Sequence, residues 1–585
     1  KRGVSLRAAT AEYDAFERRL AQTYPKEYPD NRFTVSLRTL TDDAVGNLKP
    51  VLFTLFGAVL MLLLIACSNV ANLLLVRATV RRPEMAIRAA VGASRGRIVA
   101  QLMMESAVLA TVAALCGCLL ASFGLRALAG LIPSRLIPAG AEIAIHPPAL
   151  WFALGITIAT TLLCGLAPAL QAAGANLGVP MARTTHRGRG LRNALVVAEV
   201  ALSIVLLAGA GLMTRTFLAL TRVDLGFNPA HLLSVELRLP RGRYQGAAAE
   251  QAFLNDVVAR LRRLPGVTAA GVSFEVPPVE RGPLVELDVV GRPARQAVPA
   301  MLAAAGEEAF QTMGRTIRRG RDFSAADIIA ARQVLVVNET FARTFFGGAG
   351  PTGEKVHFHL ERMIGAPLDP TFEIAGVVTD VRNQGVRQPV APEAYLPYTL
   401  PLVGLGSGGI LVRSAVPPIS LVESIRRQVW ALDSNVVLTN PTTLVQAVAE
   451  SSYNEPRFGL VSLGGFAAIG LALVVVGVFS VMAYTVSVQT REIGIRVALG
   501  ARQSQILAGV LRNGVALLAA GIVIGIPASL SLTRLLASQL WGVTPSDPRT
   551  FVAVTVLLVV AGSAACWIPA RQAARVDPLT ALRHE

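Results

Sequence analysis

Seven stretches of the chain are apolar over lengths that suffice to cross a membrane, which takes about 20 residues of helix. The two longest of these runs, the second and the sixth, contain Gly117, Gly124, Gly521 and Gly525, which would allow the helices to tilt or to pack closely. The pattern predicts seven transmembrane helices. They lie at about 52–76, 102–132, 150–173, 194–218, 458–485, 506–537 and 550–569.

A long polar stretch, about 224–452, separates the fourth apolar run from the fifth. Five segments rich in β-branched residues are typical of strands and lie at 232–239, 269–274, 334–337, 372–378 and 409–413. Three segments with apolar residues at helical spacing lie at about 248–263, 338–345 and 420–432. Strands that alternate with helices indicate small βαβ lobes. Residues 1–46 resemble the end of a similar domain, with a helix at about 10–24 followed by FTVSLRTL.

The composition is that of a membrane protein, with 53% hydrophobic residues, 16% charged residues and a mean hydropathy of +0.52. A soluble domain has about 25% charged residues. The net charge of +17 could indicate nucleic-acid binding, but no binding motif accompanies it. Arginines instead crowd short loops between apolar runs, as they do on the cytoplasmic side of membrane proteins. The predicted cytoplasmic segments are therefore 77–101, 174–192, 486–505 and 570–585. Residues 219–457 then lie outside, and the C-terminus lies inside.

The sequence lacks the motifs that would indicate an enzyme. The segment GAGPTGEKV (348–356) is only superficially similar to a phosphate-binding loop, because Glu354 stands where such a loop has lysine. His357 and His359 share one strand face without a third metal ligand in view. The five cysteines all lie in apolar runs, so no disulfide framework is available to a domain outside the membrane. We expect no catalytic residue, cofactor or metal site, and ATP hydrolysis belongs to a partner.

An internal repeat organises the chain. PEMAIRAAVGA (83–93) and REIGIRVALGA (491–501) match at an offset of 408 residues. APALQAA (167–173) and IPARQAA (568–574) match at the ends of the third and seventh runs. Each half therefore has a unit of three spans with a basic loop after the first, which indicates a parallel duplication.

The repeated segment has a pattern that favours a docking surface. Glu492 and Arg496 are spaced to form an ion pair on one helical face, Ile495 and Leu499 lie beside it, and Gly500 suits a helix end. An interfacial helix that merely stabilises the exit from the bilayer is the alternative. Recurrence of the pattern in both halves favours docking of a cytoplasmic partner. The first copy has the matching residues Glu84, Ile87, Arg88, Val91 and Gly92, but Pro83 stands where the second copy has Arg491, so we expect weaker docking there.

Polar residues within the spans are expected to face the bundle interior. Ser68, Asn69 and Asn72 lie near the exit of the first span, and Glu199 lies near the start of the fourth. Two interpretations of Glu199 stay open at this point. It lies at the membrane boundary close to Arg192, or it has a role in transport.

Several segments resemble the FtsX/MacB type of ABC-transporter permease in its duplicated single-chain form, the acidobacterial duplicated orphan permeases. The resemblance covers nearly the whole chain. The matching segments are IACSNVANLLLVRA (65–78), AIRAAVGASRGRIVAQL (86–102), LVVAEVALSIVLLAGAGLMTRTF (195–217), GFNPAHLLSVELRLP (226–240), VVNETFARTFFGG (336–348), IAGVVTDVR (374–382), REIGIRVALGA (491–501) and PARQAARVDPLTALRHE (569–585).

The resemblance implies a membrane α-helical protein of about seven transmembrane helices in two FtsX-like units, with a periplasmic mixed α/β core domain of the MacB type. It also implies that the full form has a further span and most of a first periplasmic domain before residue 1. The implied divisions are a remnant of that domain (1–46), a first FtsX-like unit (47–175), a basic linker (176–192), a leading helix (193–219), the periplasmic core domain (220–456) and a second FtsX-like unit (457–585).

The implied function is that of an inner-membrane permease subunit, driven by a separate cytoplasmic ABC ATPase in two copies, for export or mechanotransmission. The segments 84–92 and 492–500 would couple the permease to the ATPase. The resemblance also allows a periplasmic or outer-membrane partner, and it does not identify the cargo. Two alternatives are a membrane-anchored regulator that activates a cell-envelope enzyme, as FtsX does, and a secondary transporter. The second would need ionisable residues at span midpoints, which are scarce here.

Overall fold

The computed structural model describes most of the chain. It covers residues 4–574 apart from 25–36, 40–48, 82–83, 85–86, 89–90, 92–93, 130–143, 174–180, 241–242, 245–246, 275–281, 293–297, 349, 360–370, 401–406 and 500. The segment FTVSLRTL (33–40), Gly92, Gly500 and the C-terminal segment after Ala574 therefore lie wholly or largely outside the described residues.

The chain divides into two compact units. One comprises Leu40–Ala219 and Glu455–Glu585, and it contains the apolar helices. The other comprises Lys1–Thr39 and Leu220–Asn454, and it contains every strand of the described chain. We call them the helical unit and the α/β unit. An N-terminal helix, α1 (Leu6–Thr23), belongs to the α/β unit, close to the position predicted from the sequence.

Seven long apolar helices form the helical unit at the predicted positions. They are α2 (Lys49–Val80), α3 (Arg95–Ala129), α4 (Pro147–Ala173), α5 (Met181–Thr221), α12 (Asn454–Ala498), α13 (Gln503–Leu532) and α14 (Pro548–Ala573). Among the described residues, six of them are long and apolar enough to cross a membrane. The exception, α4, has 27 residues, and its described apolar stretch runs from Pro147 to Leu162.

Small residues let the second half of the helical unit pack closely. On α13, Gly521 and Gly525 face Val200 and Ala201 of α5, and a methyl group added at either glycine would overlap that helix. The close packing predicted for these glycines is confirmed. No such packing is present at Gly117 and Gly124 of α3, where nothing in the described chain lies within 4 Å of an added methyl group, so tilting of that helix stays a prediction.

A four-stranded antiparallel sheet forms the first part of the α/β unit. Its strands are β1 (Leu232–Arg238), β2 (Val267–Val272), β11 (Ser407–Ser414) and β12 (Val437–Thr443), in the order β12-β1-β11-β2. Two helices, α6 (Ala247–Leu261) and α10 (Val422–Trp430), connect β1 to β2 and β11 to β12 and pack against each other. This order is that of a split βαβ, or ferredoxin-like, arrangement.

A mixed eight-stranded sheet is inserted between β2 and β11. Its strands are β3 (Leu284–Val285), β4 (Leu287–Val289), β5 (Ala300–Ala305), β6 (Ile317–Gly320), β7 (Val334–Asn338), β8 (Lys355–Phe358), β9 (Thr371–Val378) and β10 (Glu393–Pro397). The order is β3-β5-β10-β7-β9-β8-β4, with β6 beside β9. Three short helices, α7 (Ala309–Met313), α8 (Ala325–Ile329) and α9 (Glu339–Phe346), lie in its connections. Another short helix, α11 (Leu444–Val448), follows β12.

The predicted pattern of the α/β unit is confirmed at all five strands and all three helices. β7 and β9 pair in parallel, and α9 lies between them in the chain, as a βαβ connection requires. Strands β3 to β6, β8, β10 and β12 were not predicted. Most of them are only two to six residues long, and a fully buried strand such as β5, AMLAAA, lacks the alternation that identifies a strand.

Candidate functional site

Residues 492–498 of the second predicted coupling segment (492–500) continue the fifth predicted span in one helix. Helix α12 runs for 45 residues from Asn454 to Ala498. Glu492 Oε1 accepts a hydrogen bond of 2.5 Å from Arg496 Nη2, and both side chains are exposed. The predicted ion pair on one helical face is therefore present.

Apolar side chains beside this ion pair divide between the core and the surface. Ile493 is buried in the same core cluster as Ile506 of α13, so it anchors the segment. Ile495 and Leu499 are instead 43% and 82% exposed. Both side chains therefore lie at the surface of the described chain, beside the ion pair.

The first coupling segment, residues 84–92, has the same exposed elements. Glu84 Oε1 accepts a hydrogen bond of 2.6 Å from Arg88 Nη2. Ile87 is 66% exposed and Val91 is 83% exposed. Helix α2 ends at Val80, three residues before Pro83, so this segment does not continue its span as α12 does.

Contacts with α3 distinguish the first segment from the second. Arg88 Nη1 donates a hydrogen bond of 2.7 Å to Gln101 Oε1, and Arg81 Nη1 donates one of 2.8 Å to Glu105 Oε2. At the offset of 408, Gly509 stands in place of Gln101 and Asn513 in place of Glu105. In the described part of the chain, Arg496 accordingly bonds through its side chain only to Glu492. The first copy is thus partly engaged within the chain.

Polar residues of the spans lie inside the helical unit, as predicted. Ser68, Asn69 and Asn72 of α2 are 8%, 6% and 1% exposed, and Glu199 of α5 is fully buried. Arg192, the predicted neighbour of Glu199, has its guanidinium carbon 4.1 Å from the centre of the Tyr484 ring. Glu199 is therefore enclosed by the helical unit, and both interpretations of it stay open.

The two motifs that could have indicated chemistry have structural roles. The amide of Gly353, in the loop similar to a phosphate-binding loop, donates a hydrogen bond of 2.8 Å to the Ile374 carbonyl, so it is not turned toward a ligand. His357 Nδ1 lies 3.1 Å from Thr371 Oγ1, and His359 Nε2 lies 2.9 Å from Asp288 Oδ2.

A buried polar network in the α/β unit was not predicted from the sequence. Arg315 Nη1 donates a hydrogen bond of 2.7 Å to the Tyr395 hydroxyl, which in turn donates one to Glu393 Oε2. Arg315 Nη2 also donates a hydrogen bond of 2.6 Å to the Thr379 carbonyl. Burial raises the pKa of Glu393 to about 7, although Arg315 and the Tyr395 hydroxyl lower it. Residues 80 positions apart give no local pattern that a sequence reading could detect.

Family models match most of the chain. The model of the FtsX-like permease C-terminal region matches residues 56–177 and again 464–578, which confirms the internal duplication. The model of the MacB-like periplasmic core domain matches residues 194–451. Two FtsX-like permease regions thus flank one MacB-like periplasmic core region along the chain.

The curated relatives are named as export ATP-binding/permease proteins. The macrolide export ATP-binding/permease protein MacB of Mannheimia succiniciproducens is 28% identical over 48% of this chain and 43% of its own length. The pyoverdine export ATP-binding/permease protein PvdT of Pseudomonas entomophila is 29% identical over 46% of this chain and 40% of its own. The chain spans less than half the length of these relatives. The crystal structure of the periplasmic region of MacB from Actinobacillus actinomycetemcomitans is 18% identical and covers 38% of this chain and 94% of its own, with a TM-score of 0.26.

Proposed function

We propose that this chain, which belongs to the FtsX/MacB type of ABC-transporter permeases, is the membrane subunit of an export or mechanotransmission complex driven by a separate ATPase. It is a multi-pass protein of the inner membrane. ATP hydrolysis takes place in the partner, and this chain transmits the resulting motion to the α/β unit in the periplasm. The predicted topology places both coupling segments and the C-terminus in the cytoplasm.

One observation supports this proposal above the others. Each FtsX-like region contains an exposed helical segment with an ion pair and two solvent-facing apolar side chains, close to the end of a span. Two such segments in one chain fit two ATPase subunits. The second continues α12 as one helix, so a displacement of Glu492–Arg496 moves the span without an intervening hinge.

The apolar side chains should contribute more affinity than the ion pair. Burying an exposed leucine or isoleucine contributes about 1.5–3 kcal/mol, whereas an exposed ion pair contributes about 0.2–1 kcal/mol. Leu499, which is 82% exposed, is available to a partner almost in full. We assign affinity mainly to Leu499 and Ile495, and orientation of the partner to Glu492 and Arg496.

The test compares Leu499→Asp with Val91→Asp. The tagged chain is purified from its native membranes, and the ABC ATPase that co-purifies is quantified by mass spectrometry. Loss of about 1.5–3 kcal/mol predicts roughly a 10- to 150-fold weaker association for Leu499→Asp. The loss for Val91→Asp should be smaller, because Arg88 beside it is already bonded to Gln101.

Ile329→Asp is the matched control, because Ile329 is 68% exposed but lies in the α/β unit. It should retain the ATPase in full, and all three variants should insert into the membrane at the level of the unchanged chain. Equal losses for Leu499→Asp and Val91→Asp, or no loss for the former, would favour an interfacial helix over a coupling segment.

A further inference from the structure

A buried polar cluster lies where three helices of the helical unit meet. The Glu199 carboxyl group of α5 lies beside the Asn69 side chain of α2 and beside Gly477 of α12. A methyl group added at Gly477 would lie closer than 3.0 Å to both Glu199 Oε2 and Asn69 Oδ1. Ser203, one turn after Glu199, faces Gly470 in the same way. Glycines on α12 thus make room for polar groups on α5.

Equivalent positions of the two repeats face each other at this cluster. Asn69 and Gly477 differ by the repeat offset of 408, and so do Ile65 and Leu473. Asn69 Nδ2 donates to the carbonyls of both Ile65 and Leu473, at 3.4 Å and 3.1 Å. Residues meet their own equivalents at the axis of a twofold interface. The cluster therefore lies at the pseudo-twofold contact between α2 and α12, and Glu199 occupies the space that a second asparagine would take.

Hydrogen bonds account for only part of this cluster. Among the described residues, neither carboxyl oxygen of Glu199 has a hydrogen bond of ordinary geometry, although Asn69 lies next to it. The Ser203 hydroxyl and both polar atoms of the Asn72 amide are also without partners in that part of the chain. All three side chains are at most 1% exposed.

Cations are too far away to neutralise an ionised carboxylate at this position. The two helices that face Glu199 contribute no charged side chain near the cluster in the described chain. On α13, whose Gly521 packs against Val200, the nearest basic residue is Arg512, nine residues or about 13 Å away at 1.5 Å per residue. The nearest basic residues along α2 and α5 are Arg77 and Arg192, eight and seven residues away, which is about 10–12 Å at 1.5 Å per residue. On α12 the nearest charged position, Arg491, is 14 residues from Gly477. An isolated buried carboxylate is far less stable than the neutral acid.

We infer that Glu199 is an intramembrane proton-binding site, whose neutral carboxylic acid joins α5 to the pseudo-twofold contact between α2 and α12. The neutral acid can donate its hydrogen to Asn69 Oδ1. An ionised carboxylate has no hydrogen to donate, so its oxygens and Asn69 Oδ1 would repel each other. Helix α2 precedes the first predicted coupling segment, and α12 contains most of the second. The inference does not depend on the ATPase or on the direction of transport.

Infrared spectroscopy of the purified chain tests the protonation state directly. An ordinary glutamic acid, with a pKa of about 4.3, is protonated in only about one molecule in a thousand at pH 7.5. A carboxylic-acid C=O band at that pH therefore reports a buried neutral acid. We expect a band in the unchanged chain that disappears in Glu199→Gln, whose amide preserves the shape. Identical carboxylic-acid regions in the two spectra would overturn the inference, because Glu199 would then be ionised.

A pair of glycine variants tests the contact itself. Gly477→Ala should shift the Glu199 band and lower the melting temperature in detergent, because the added methyl group displaces the carboxyl group from Asn69. Gly465→Ala on the same helix should leave the band unchanged and should not lower the melting temperature, since nothing in the described chain lies within 4 Å of a methyl group added there. A Glu199 band that is the same in both variants would show that the acid does not bind at the helix contact, and would refute its role in joining the helices.

Discussion

The buried Glu393 carboxyl group should make the stability of the α/β unit depend on pH in a defined direction. Glu393 is fully buried on β10, and burial raises its pKa from the ordinary value of 4.5 to about 7. The folded state therefore binds the proton more tightly than the unfolded state does. The stabilisation is complete below pH 4.5 and is lost as the pH rises through 7.

The size of this loss follows from the two pKa values. Each tenfold difference in proton affinity corresponds to about 1.4 kcal/mol, so the free energy of unfolding should fall by about 2–3 kcal/mol between pH 5 and pH 8 through Glu393 alone. Glu393→Gln cannot ionise, and its amide oxygen can still accept the hydrogen bond from Tyr395. Between these pH values the free energy of unfolding of the variant should thus rise by about 2–3 kcal/mol relative to that of the unchanged unit.

The assay is urea unfolding of residues 224–452, which we expect to fold alone because they have their own core and sheets. Trp430 is the only tryptophan of this segment and reports unfolding by fluorescence. Burial also raises the pKa of Asp322, to about 6, but the difference between Glu393→Gln and the unchanged unit at each pH cancels its contribution. Parallel pH dependences for the two proteins would refute the reasoning, because Glu393 would then be ionised throughout and held by Arg315.

Two further predictions concern the helical unit and the topology. Gly521→Ala should destabilise the chain in detergent by about 1–3 kcal/mol, because its methyl group overlaps Val200. Gly509→Ala, with no described atom within 4 Å of the added methyl group, should stabilise the chain by up to about 1 kcal/mol. Equal melting temperatures would contradict the packing of α13 on α5. In a chain without native cysteines, Gln245→Cys should react with an impermeant maleimide in intact spheroplasts, and Arg183→Cys only after permeabilisation. Reaction of both cysteines in intact spheroplasts would contradict the predicted topology.

Sequence patterns predicted those features that depend on neighbours within a few residues. The spans follow from continuous apolar runs, and the Glu492–Arg496 pair follows from its spacing of four, because such residues meet on a helix whatever surrounds it. The strand order of the α/β unit could not be predicted, since the eight-stranded sheet interrupts the four-stranded one between β2 and β11. The bond between Arg315 and Tyr395 likewise depends on tertiary packing rather than on spacing.

Because the two halves are fused in one chain, equivalent positions can carry different residues. A symmetric dimer of identical chains would have the same residue at both positions, whereas here Asn69 and Gly477 differ. At a twofold axis, two identical chains would place Asn69 against a second asparagine, leaving no space for the Glu199 carboxyl group beside it. In the single chain, Gly477 provides that space. The same freedom operates at the coupling segments, where Gln101 engages Arg88 but Gly509 leaves Arg496 to Glu492. Restoring symmetry at this contact with Gly477→Asn should therefore displace Glu199 and destabilise the chain, although asparagine is tolerated at the equivalent position 69.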